Sequence, residues 1–202
     1  MRRHVRLLLL VLCLALPARA AGELIACARL GAYDRQAIDR MRDRDALALS
    51  PRAADYRLPD ATCSVKLYRV TYNTVNPDNR NAAEKASGLL ALPDVPGRSC
   101  GLVLWSHSAE LTAANVPSRP DASLEARLVI AALAAQGYAV LMPDYLGKGS
   151  FPGVHPFFLA ESEARAGGDL LRAGRKACAQ LNVRLQPRTF LAGWSQGGQS
   201  TL

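Results

Sequence analysis

Thr189-Phe190-Leu191-Ala192-Gly193-Trp194-Ser195-Gln196-Gly197-Gly198 decides the reading of this chain. Thr189 to Ala192 is a short apolar run of strand type, and Gln196 opens a segment of helical character. Between them Ser195 occupies the centre of a Gly-x-Ser-x-Gly turn, the arrangement that presents a nucleophilic serine above a sheet. A serine held in so tight a turn leaves no room for side chains two residues before and after it. Gly193, Gly197 and Gly198 are expected to meet that demand.

Upstream of the turn the pattern alternates between strands and helices. Val65 to Val75 is rich in β-branched and aromatic residues and ends at Asn76-Pro77-Asp78-Asn79, and Ser87 to Leu92 follows, closed by Pro93. These two segments are expected to form a long hairpin at a sheet edge. Gly101 to Trp105 and Tyr138 to Met142 are continuously apolar, as strands buried on both faces are, and Thr189 to Ala192 is expected to be a third. A helix is expected to follow Ser123 and end at Gln136-Gly137, and a second to run from about Ala160 to Leu181. The charge-dense stretch from Asp34 to Arg57 reads as a solvated helical face. The fold class is therefore α/β: a mostly parallel sheet with helices on both faces and an antiparallel N-terminal hairpin.

Met1 to Ala20 carries Arg2, Arg3 and Arg6, an apolar run from Leu7 to Leu16, and the small-residue end Ala18-Arg19-Ala20. That is the plan of a cleaved secretory signal. The run is about half the roughly 20 residues that span a bilayer, so no stable membrane anchor is expected. Residues 21–202 suffice for one domain. Losing the signal's four arginines lowers the net charge from +8 to +4. No basic stripe interleaved with aromatics exists, which argues against a nucleic-acid partner. Cys27, Cys63, Cys100 and Cys178 remain for an oxidising compartment and permit three pairings. No Cys-x-x-Cys or Cys-His spacing points to a metal, and no cofactor is implied.

A neutral serine hydroxyl needs a base to take its proton and donors for the oxyanion that its attack creates. One donor is the backbone N–H of Gln196, at a helix start. The other is expected from the loop Ser106-His107-Ser108-Ala109, with Ser108 as the candidate. His107 is read as a residue that orients this loop, and His155, before Pro156, as part of a structural turn. Asp144 is expected to cap the Tyr145 to Ser150 turn through its own backbone, and Asp169 to be solvated.

Five ordered motifs carry a resemblance: Trp105-Ser106-His107-Ser108, Val116-Pro117-Ser118, Tyr138 to Ser150, His155-Pro156-Phe157 and Gly193 to Gly198. Together they resemble the bacterial secreted lipase/esterase branch of the α/β-hydrolase superfamily, from about Val65 onward. The resemblance implies an ester hydrolase with Ser195 as nucleophile and a small-molecule ester or lipid as substrate, acylglycerols among them. It also implies that Cys100 and Cys178 sit at the same end of the sheet and pair, leaving Cys27 for Cys63. Where such families usually have His-Gly, this chain has His107-Ser108. The triad order of the fold is serine, acid, histidine. Only Gln196 to Leu202 follow Ser195, without an acid or a histidine. The expectation is thus the N-terminal part of one hydrolase domain, inactive by itself. Two other classes fit the same motifs, a secreted serine peptidase of the oligopeptidase type and a non-catalytic binding module. No feature of the sequence assigns an oligomeric state.

Overall fold

The computed structural model describes residues 21–49, 58–80 and 82–201. The expected signal peptide, residues 1–20, lies outside them, as do residues 50–57 of the charge-dense stretch. The strands are β1 (Leu24–Tyr33), β2 (Val65–Asn76), β3 (Ala82–Pro93), β4 (Cys100–Ser106), β5 (Ala139–Pro143) and β6 (Leu185–Gly193). The helices are α1 (Arg35–Leu49), α2 (Leu124–Ala132), α3 (Ala160–Gln180) and α4 (Gln196–Thr201). One six-stranded sheet has the order β1-β2-β3-β5-β4-β6. The first three strands pair antiparallel, β3 meets β5 antiparallel, and β4 runs parallel to both β5 and β6.

Strand periodicity divides the core between the two faces of this sheet. Leu89 and Ala91 of β3 join Ile38 and Met41 of α1 and Val129 and Ile130 of α2. Leu90 and Leu92 of β3 join Leu170, Ala173 and Ala177 of α3 on the opposite face. Ser123 caps α2 by accepting from the Ala126 N–H at 3.2 Å, and Gly137 ends the 3₁₀ turn after it with φ of +100°. Helices on both faces and an antiparallel N-terminal hairpin are what the sequence pattern implied; the sheet expected to be mostly parallel is mixed among the described residues, with β4–β5 and β4–β6 parallel and the other pairings antiparallel.

Several expectations are corrected. The β2–β3 hairpin is not the sheet edge, because β1 pairs outside β2. β3 begins at Ala82 rather than Ser87, its first residues pairing with Thr74 to Asn76 and neighbours. β6 is not buried: Phe190 and Leu191 are 46% and 55% exposed, since β6 is the outermost strand on its side of the described sheet. The helix at 35–49 is not wholly solvated, because Asp45 is buried and pairs with Arg127 of α2 at 2.5 Å. Asp169 is buried too, accepting from Thr74 Oγ1 at 2.7 Å and pairing with Arg172.

Cys27, Cys63, Cys100 and Cys178 are all free thiols. The Cys27–Cys63 pairing fails on geometry. Cys27 packs on the α3 face, whereas Cys63 lies against the carbonyls of Ala134 and Ala135 on the other face. Cys100 and Cys178 do share the α3-side core, unbonded.

Candidate active site

Strand β6 ends at Gly193, beside Ser106 at the end of β4, and the Trp194 N–H donates to Ser106 O at 3.2 Å. Ser195 then adopts φ of +55°, a left-handed conformation that is costly for a residue with a Cβ. Gly197 N–H returns to Trp194 O and Gly198 N–H to Ser195 O, both at 2.9 Å, and these bonds start α4. A Cβ on Gly193 would meet the Gly197 carbonyl carbon at 2.5 Å. One on Gly197 would strike the Ser106 carbonyl and lie 2.7 Å from His107 O. Gly198 differs from the expectation, for its Cβ would have nothing closer than Gly193 O at 3.9 Å. The tight approach involves two glycines, not three.

The outcome is a serine delivered to solvent. Ser195 is exposed, and no hydrogen bond to its hydroxyl is formed among the described residues. Gln196 is buried, with its main-chain N–H unengaged among the described residues. Its side-chain amide donates to Glu163 of α3, which also accepts from Ser200 Oγ.

The facing loop is held from behind. Glu125, near the start of α2, accepts from Trp105 Nε1 at 2.7 Å, from Ser108 N–H at 3.0 Å and from Ser108 Oγ at 2.5 Å. Both Ser108 donors therefore point at a carboxylate. This corrects the reading of Ser108 as an oxyanion donor, since neither of its hydrogens is free to face Ser195. His107 is 3% exposed, packs against the Tyr145 ring at a tilt of 37° with centroids 4.4 Å apart, and has Nδ1 2.6 Å from Ser108 O. Facing a carbonyl, Nδ1 must carry the proton. Burial lowers the His107 pKa to about 4, with the nearby Lys148 and His155 acting in the same direction and the Ser108 carbonyl opposing. The ring is thus neutral at pH 7.

Asp144 does not cap its own turn. Fully buried at the end of β5, it accepts from Ser118 N–H at 2.8 Å and Ser87 Oγ at 2.6 Å, while the Ser87 hydroxyl accepts from Ser150 N–H at 3.0 Å. Burial pushes the Asp144 carboxyl pKa up, and the Ser118 and Ser87 hydrogen bonds offset part of that. One carboxylate thereby ties β3, the Val116 to Ser118 turn and the segment after β5. That segment turns at Tyr145 (φ +66°) and Gly147 (φ +74°). His155 Nδ1 lies 2.8 Å from Leu146 O, and the Lys148 ammonium sits 5.0 Å over the Phe157 ring and donates to Glu110 O. Burial lowers the pKa of Lys148.

Glu125, Glu163 and Lys148 escaped the sequence reading. Glu125 and Glu163 each look like an ordinary acid in the first turn of a helix. Nothing local reveals that they turn inward. Among the described residues no group of three or more His, Cys, Asp or Glu could hold a metal ion, and no helix is long and apolar enough to cross a membrane.

A sequence model of the secretory lipases covers α2 to α4, the span that ends in the serine turn. Residues 122–202 match the secretory lipase family. Solved structures agree with that match. A candidate hydrolase from Legionella pneumophila is 30% identical with a TM-score of 0.76, the alignment covering 89% of this chain and 46% of that one. The rice cell wall degrading esterase LipA from Xanthomonas oryzae is 31% identical with a TM-score of 0.72, covering 90% and 44%. Candida antarctica lipase A in its closed state, 18% identical with a TM-score of 0.55, shares the fold alone and is covered over 37% of its length. No curated protein matches. The chain spans less than half the length of these solved structures. The resemblance to the secreted lipase and esterase branch of the α/β-hydrolases, read from the five motifs, is upheld by the match and by these structures.

Proposed function

We propose that this chain carries the nucleophile of a secreted carboxylic-ester hydrolase, with Ser195 forming an acyl-enzyme. The observation that supports the reading best is the left-handed Ser195 on a strand-to-helix turn, its hydroxyl exposed and its flanking glycines in backbone contact. Ser195 Oγ attacks the ester carbonyl and its proton passes to a base. The Gln196 N–H steadies the oxyanion, and the alcohol leaves with a proton returned from that base. Water then repeats the sequence on the acyl-enzyme. His107 and His155 each donate Nδ1–H to a backbone carbonyl, and the Nε2 atoms that this leaves as acceptors are buried and form no hydrogen bond to Ser195 among the described residues, so neither is assigned as the base. The triad's acid and histidine are assigned to the part of the relatives' length that this chain does not span. Residues 1–20 direct export, and the substrate class is the carboxylic ester, acylglycerols included. The test is p-nitrophenyl butyrate hydrolysis by the full gene product and its Ser195→Ala variant. A fall in kcat of about a thousandfold or more is expected. Equal rates would overturn the reading.

A further inference from the structure

We infer that Glu163 is a positioning residue for the nucleophile turn, acting through Gln196 and Ser200; the inference rests on the reading of Ser195 as nucleophile. Glu163 lies in the first turn of α3 and is 3% exposed. Its two carboxylate oxygens are taken by donors one helical turn apart on α4, Gln196 Nε2 and Ser200 Oγ. A helix of six residues is marginal by itself, so α4 owes its placement to contacts such as these. Thr201 adds two further ties, donating to Gly197 O at 2.6 Å within the helix and to Ala192 O of β6 at 3.4 Å. Only Glu163 joins the start and the end of α4 to a separate helix through side-chain hydrogen bonds, among the described residues.

The chemistry explains why this matters. A buried carboxylate is tolerated only where its lone pairs are met by donors. Glu163 forms no ion pair among the described residues, so its direct partners are the two neutral donors of α4. Gln196 is the residue after Ser195. Anchoring its side chain fixes the direction of its own N–H, and through one peptide bond the direction of the Ser195 side chain. Loss of the anchor lets these two reacting groups drift while leaving the rest of the substrate-contacting surface unaltered. The expected signature is therefore a fall in kcat at constant KM.

The experiment compares the full gene product with Glu163→Gln, Glu163→Leu and Ser200→Ala, recording kcat and KM for p-nitrophenyl butyrate and the Tm of each. Glu163→Gln retains one acceptor oxygen and should lose about tenfold in kcat. Glu163→Leu retains none and should lose about a hundredfold. KM should stay within twofold in both, measured well below every Tm. A lowered Tm with kcat within twofold of wild type in the folded Glu163 variants would make Glu163 a structural residue only and overturn the inference. If Glu163→Leu fails to fold, Ser200→Ala decides: a kcat loss at constant KM supports the positioning role, and an unchanged kcat overturns it. Wild-type turnover that does not depend on Ser195 would overturn the nucleophile reading and this inference together. Ser195-dependent turnover insensitive to Glu163 overturns this inference alone.

Discussion

Substituting alanine at Gly197 and, separately, at Gly198 distinguishes a steric requirement from a motif residue. At Gly197 a Cβ would overlap backbone atoms of Ser106 and His107, and the loosest of those three contacts, to His107 O, is 2.7 Å against a closest tolerated approach of 3.0 Å. The obstacle is main chain and cannot rotate away. Ser106 is held by pairing with Gly193 and by the Trp194 N–H, and Ser108 by Glu125, so the loop must shift as a unit. Overpacking against a fixed neighbour costs roughly 1–3 kcal/mol, occasionally more, and Gly197→Ala belongs at about 3 kcal/mol. At Gly198 the nearest atom is at 3.9 Å and the residue is inside α4. There alanine should be neutral or stabilise by up to about 1 kcal/mol through helix propensity. Urea denaturation monitored by circular dichroism gives both values. Equal midpoints for wild type and Gly197→Ala, or a larger loss at Gly198, would refute the steric argument.

Other outcomes follow from the same geometry. The His107 pKa falls from an ordinary 6.5 to about 4 on folding, so the unfolded chain binds the proton first. The stability this confers is full above pH 6.5 and is lost as pH drops toward 4, by about 3 kcal/mol; in urea titrations His107→Gln should remove that part of the pH dependence, and parallel curves would contradict it. Glu125→Ala strands the Trp105 indole and both Ser108 donors, and should cost about 2–4 kcal/mol with a shift in tryptophan emission; a loss below about 0.5 kcal/mol would deny that Glu125 holds the loop. Residues 1–202 expressed alone should hydrolyse p-nitrophenyl butyrate no faster than their Ser195→Ala version, because no base contacts Ser195 among the described residues; a clear difference between them would show that a base is present.

What was legible in the sequence had a local cause. Leu102, Val103 and Leu104 read as a doubly buried strand because both faces of β4 are covered, and the glycines flanking Ser195 read as a turn because sterics at one point require them. β1 was missed because Leu24 to Tyr33 follows no strict alternation and carries two register irregularities against β2. Phe190 and Leu191 misled because an apolar strand says nothing about which neighbour covers it. The buried acids were illegible for a different reason. Asp144 meets Ser118 and Ser87 across 26 and 57 positions, and Asp169 meets Thr74 across 95. Turn and helix rules look only a few residues away, so they assigned Asp144 to its own turn and Asp169 to solvent. Ser108 fell to the same limit, its donors drawn by Glu125, 17 positions away on the next helix.

The most direct test of Ser195 as nucleophile is mass spectrometry of the full gene product quenched during turnover of p-nitrophenyl butyrate. A butyryl adduct on the peptide containing Ser195, absent from Ser195→Ala, is the expected result. Undiminished turnover in Ser195→Ala, or an adduct confined to another residue, would contradict it.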